Sequence, residues 1–75
     1  MNADSTRALE AEVLAYLDKH PRAADTAEGI RRFWLADSGA YALGEVEYVL
    51  ERLVRKGAMG RRSLPDGRIL YIDGH

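Results

Sequence analysis

The sequence predicts a mainly α domain closed by a small β-hairpin, in the order α-α-α-β-β with a short strand admitted between the first two helices. Three observations predict it. Apolar residues recur at helical spacing through residues 9–17 and, more regularly, through residues 46–54. Gly57 stops the second pattern directly after Lys56, the cation-then-glycine ending that helices favour. Beyond it, residues 58–64 and 68–73 are strand-like runs separated by Pro65-Asp66-Gly67, where proline presets φ and glycine accepts the tight return.

The first helix is expected to begin at Asp4, Ser5 or Thr6, whose short side-chain oxygens suit an N-cap. Leu9, Val13, Tyr16 and Leu17 form its apolar stripe, Leu14 widens it, and Glu10, Glu12, Asp18 and Lys19 lie away from it. His20-Pro21 ends the helix, because the residue before proline is driven out of the helical region. Residues 22–24 have room only for an extended connector or a one-bridge strand. Asp25-Thr26-Ala27-Glu28 has capping-box spacing, with Asp25 as the cap and Glu28 reaching back, and opens a second helix. Ile30, Phe33 and Trp34 supply its apolar face, with Arg31 and Arg32 outward; one of the two adjacent rings is expected at the edge of the packed stripe. Gly29 either admits a close neighbour or is a surface glycine costing about 1 kcal/mol against alanine.

Residues 36–39 make the turn to the third helix, with Asp37 or Ser38 as its cap. That helix starts between residues 40 and 44. It buries Val46, Val49, Leu50, Leu53 and Val54, and leaves Gly44, Tyr48, Glu51, Arg52 and Arg55 near the centre of the opposite face. Tyr16 and Tyr41 are expected to pack. In the last strand, Leu70 and Ile72 share one face and Ile69 and Tyr71 the other.

Residues 1–75 are expected to form one domain, short enough to bury only ~60% of the surface exposed when unfolded. With 47% hydrophobic and 31% charged residues, the chain has globular rather than disordered composition. There is no cysteine, hence no disulfide and no thiolate metal site. No apolar run reaches the ~20 residues of a membrane span, and Met1 to Thr6 lacks the basic start and apolar core of a secretory signal, so a cytoplasmic protein is expected. His20 and His75 are isolated, Ser5, Ser38 and Ser63 sit in no nucleophile motif, and the glycines form no phosphate loop. Neither enzymatic activity, a cofactor nor a metal is expected.

Net charge is -1, but unevenly distributed. Residues 1–51 carry five Arg/Lys against ten Asp/Glu, whereas residues 52–68 carry six against one. A basic end on an acidic domain is an electrostatic footprint for phosphate, and equally a complement to a helix dipole.

The order helix, short strand, helix, turn, helix, glycine, basic hairpin resembles the winged helix-turn-helix domains of bacterial transcription regulators over nearly the whole chain. Val46, Leu50 and Leu53 ahead of Gly57 and Ala58-Met59 resemble the end of a recognition helix entering its wing, and residues 25–28 resemble the start of the second helix. The resemblance implies binding to double-stranded DNA, with the third helix in the major groove, Tyr48 and Arg52 toward the bases, and Arg55, Arg61, Arg62 and Arg68 on phosphates. Dimerisation is expected to accompany it. Glu45, Glu47 and Glu51 depart from such helices and open a second expectation. That alternative is a protein-interaction module using Trp34, Glu45, Tyr48 and Glu51.

Overall fold

The computed structural model describes residues 3–37 and 39–74, and contains three helical segments and a three-stranded antiparallel sheet. Helix α1 spans Ala3–Lys19, strand β1 Ala24–Asp25, helix α2 Ala27–Gly29, helix α3 Leu43–Arg55, strand β2 Met59–Ser63 and strand β3 Ile69–Asp73. Helix α2 runs on without a break as a π-helical segment, Ile30–Trp34. Ser38, one of the two cap candidates, and His75 lie outside the described residues.

Helix α1 starts ahead of the three expected caps. Asp4 lies in its first turn, where a carboxylate suits the dipole, and Thr6 is buried. Leu9, Val13 and Leu17 are buried at four-residue intervals, but Leu14 is 39% exposed. It is turned ~100° from Val13, outside the narrow stripe that α3 and the π segment cover. Nor are Glu10 and Glu12 solvent-facing acids. Glu12 accepts from the Ala36 amide at 3.2 Å, and Glu10 reaches α3.

The cap of α2 is Thr26, not Asp25: Thr26 Oγ1 accepts from Gly29 N at 3.2 Å, while Asp25 accepts from Thr26 N at 2.8 Å. Glu28 does not reach back and sits 4.0 Å from Arg32, one turn on. Gly29 is buried, and a Cβ there would fall on the Asp25 carboxylate. Gly29→Ala is therefore expected to destabilise the fold by about 1 kcal/mol, although alanine is the better helix former. In an Asp25→Ala background the same change is expected to stabilise, which paired urea midpoints would measure.

The π segment accounts for the two aromatic residues. Its i→i+5 bonding widens the turn, bringing residues i and i+4 into line and moving i+3 off the face. Ile30 and Trp34 are accordingly buried, Trp34 stacking on Tyr16 at 4.6 Å, while Phe33 is 71% exposed. Trp34 as an interaction residue is thereby corrected: it belongs to the core. Arg31, expected to point outward, is half-buried and donates through Nε to the Tyr41 carbonyl at 2.7 Å.

Helix α3 buries Val46, Val49, Leu50 and Leu53, with Val54 half-buried. It ends in a Schellman motif. Gly57, at φ +80, places its N–H on Val54 O and the Ala58 N–H on Leu53 O, both at 3.0 Å. The chain then enters β2 directly. Leu64 N donates to Arg68 O at 2.7 Å and Gly67 N to Leu64 O at 2.9 Å, closing the hairpin around a tight turn with Gly67 at φ +90.

Sheet order is β1-β3-β2. Strand β3 pairs with all of β2, but with β1 only at Ile72 and Tyr71. The inward face carries Met59 and Tyr71, both buried against the helices, with Ile69 packed beside them. Among the described residues no helix is long and apolar enough to cross a membrane, and no group of three or more His, Cys, Asp or Glu is placed to hold a metal ion.

Candidate recognition surface

One side of α3 packs on the core, so the other is open. Gly44, Glu47, Tyr48, Glu51, Arg52 and Arg55 line a shallow depression of about 580 Å³ along it. Tyr48 is half exposed, at 50%. The sequence thus brings Tyr48, Glu51, Arg52 and Arg55 together.

Two of the four charges on this surface, and several beside it, are paired within the chain. Arg52 Nε lies 3.1 Å from Glu10 Oε2, and Lys56 Nζ lies 3.0 Å from the other oxygen of the same carboxylate. Arg61 contacts Glu51 at 2.6 Å, bridging the hairpin to the helix. Arg68 folds onto Asp66 at 2.7 Å within the hairpin turn. Glu45 Oε1 accepts from the Ala42 amide at 3.3 Å, satisfying one of the donors left open at the start of α3. Of the six residues expected to meet DNA, Arg55 and Arg62 have no carboxylate within ion-pair distance among the described residues. They do not share a face: Arg55 lines the open side of α3, whereas Arg62 stands opposite Leu70 on the outer side of the sheet; Arg61, opposite Tyr71, points toward α3.

Glu51 is the junction of helix and hairpin. Its second oxygen accepts from the Tyr71 hydroxyl at 2.7 Å. The Tyr71 hydrogen bond, aided by Arg61, holds the Glu51 carboxyl below the usual carboxylate range against the opposing effect of burial. Burial, reinforced by the Glu51 carboxylate, pushes the Tyr71 phenol up to about 12. A buried phenol donating to an ionised carboxylate is the strong, charge-assisted form of hydrogen bond. It fixes the hairpin against the helix.

A second concavity opens beside the first half of α3. Thr26, Ala27 and Glu28 form one wall, Leu43 and Glu47 another, and Gly67, Arg68, Ile69 and Tyr71 the third, around about 340 Å³. Leu43 is 40% exposed. Sequence reasoning missed this groove and the Glu10 clamp. The groove depends on how the hairpin turn approaches two helices, which has no local signature. Glu10 sat beside the apolar stripe of α1, where a carboxylate facing a basic helix end is the only available signal.

No family model matches the chain, and no curated protein or solved structure shows significant similarity to it.

Proposed function

We propose that this chain is a winged helix-turn-helix domain that docks on another protein through the open face of α3. The fold reading rests on the succession of α2, turn, α3 and hairpin, on the third-strand position of β1, and on the family resemblance in the sequence. One observation carries the functional reading. Arg52 and Glu51 of the α3 face are paired internally, which leaves Leu43, Tyr48, the acid Glu47 and, at the far end, the single cation Arg55 as its uncommitted groups. A duplex surface carries one negative charge per ~1.7 Å and calls for a continuous positive face. Here the first half of the helix is acidic, and three of the five arginines beyond it, Arg52, Arg61 and Arg68, are paired with carboxylates.

A benzophenone side chain in place of Tyr48 tests this in cells that make the protein. The expected result is a discrete covalent adduct with one protein, lost when Leu43→Ala is added. Adducts with nucleic acid, or none, would refute the reading.

Duplex DNA is the second reading, favoured by the same internal pairing seen from the acid side. Glu51 is neutralised by Arg61, and Glu45 is turned back on the helix start. Surface pairs are worth only ~0.2–1 kcal/mol, so phosphate can compete for their arginines. A role in transcription regulation would follow from this reading alone.

A further inference from the structure

Strand β3 is longer than the strand that covers one of its edges. On the β1 side it is paired only at Tyr71 and Ile72, because the chain turns into α2 straight after Thr26. The ladder with β2 fixes the direction of the next backbone groups. Leu64 N bonds Arg68 O, so residues 64 and 68 are a hydrogen-bonded pair, and the neighbouring pair Ser63–Ile69 is a non-bonded one. The N–H and C=O of Ile69 therefore point away from β2. They face the groove lined by Thr26, Ala27, Glu28, Leu43, Glu47 and Arg68.

We infer that this groove takes an extended segment of a partner protein, which adds beside β3 at Ile69 and places a lysine or arginine against Glu47 and Glu28. The inference rests on the protein-docking reading and specifies its ligand. Strand addition uses main-chain bonds for affinity and side-chain pockets for specificity, and both are present. Ala27, Leu43 and Ile69 supply apolar wall. Glu47 has no ion-pair partner among the described residues, and Glu28 has only the exposed Arg32 at 4.0 Å. Arg68 is held by Asp66, which leaves the two glutamates to set the sign of the groove. That sign repels phosphate and attracts a basic side chain. A volume of about 340 Å³ suits a few extended residues, not a helix ~10 Å across.

The test uses the ¹⁵N-labelled chain and two blocked heptapeptides of alternating valine and threonine, one with lysine at its centre and one with glutamate. The lysine peptide is expected to shift the amides of Ala27, Leu43 and Ile69, to slow exchange of the Ile69 amide, and to bind about tenfold more tightly than the glutamate peptide. Glu47→Lys, a change at an exposed helical position, is expected to reverse that preference. Ile69→Pro is expected to abolish peptide binding, since it removes the donor while leaving the β2 ladder its bonds. Shifts confined to Tyr48, Arg52 and Arg55 would overturn the groove and leave the docking reading standing. No shift with either peptide at millimolar concentration would overturn the groove. Shifts from a DNA duplex but from neither peptide would overturn both.

Discussion

Trp34→Ala is expected to cost about 3–5 kcal/mol of stability, and Phe33→Ala, one residue away, less than about 0.5 kcal/mol. Trp34 is 7% exposed and stacked on Tyr16, so its loss opens a cavity between α1 and the π segment and deprives Tyr16 of its ring partner. Phe33 is mostly in water. For a 75-residue domain total stability is of the order of ~4–11 kcal/mol, so Trp34→Ala leaves the fold marginal. Urea unfolding followed by circular dichroism measures both variants. Comparable losses would mean that the π segment does not divide the two rings as described.

Glu51→Ala is expected to destabilise by about 1–3 kcal/mol, because the buried Tyr71 hydroxyl loses its acceptor and Arg61 its partner. The effect carries two pH signatures. Tyr71 has a folded pKa of about 12 against 10.0 ordinarily; its contribution is full below pH 10 and is lost as pH rises through about 12. Glu51 has a folded pKa below its ordinary 4.5; its contribution is present above that value and is lost as pH falls through the folded pKa. In the Glu51→Ala variant the acid limb attributable to this residue disappears and the alkaline limb shrinks. Tyr71→Phe is expected to remove the alkaline limb, while Arg61 preserves part of the acid one. Urea midpoints against pH, with phenolate absorbance for the tyrosine, measure both. Unchanged alkaline behaviour in Glu51→Ala would show that burial alone holds the phenol protonated.

The helices and the hairpin were legible because their signals are local. Val46, Val49, Leu50 and Leu53 lie on one stripe, Gly57 had to accept a left-handed φ, and Pro65-Asp66-Gly67 had to turn. Sequence spacing misjudged places where a neighbour in space decides. The cap of α2 moved from Asp25 to Thr26 because Asp25 packs over Gly29. Phe33 left the core because the turn carrying it is π rather than α. The candidate arginines were legible as a basic run, but their pairing was not. Glu10 lies 42 positions from Arg52 and Glu51 ten from Arg61, and only the fold brings them together. That pairing turns a basic patch into a nearly balanced surface.

Duplex binding as a function of salt tests that balance most directly, by anisotropy of a labelled mixed-sequence duplex. With Arg55 and Arg62 as the uncommitted cations on different faces, one of them meets a duplex at a time, and the plot of log K against log salt is expected to have a slope of about -1, at roughly 0.9 per phosphate. The same slope is expected after Arg61→Ala. A slope steeper than about -4 that relaxes by about 1 on Arg61→Ala would mean that the paired arginines leave their carboxylates for phosphate, and would contradict the account.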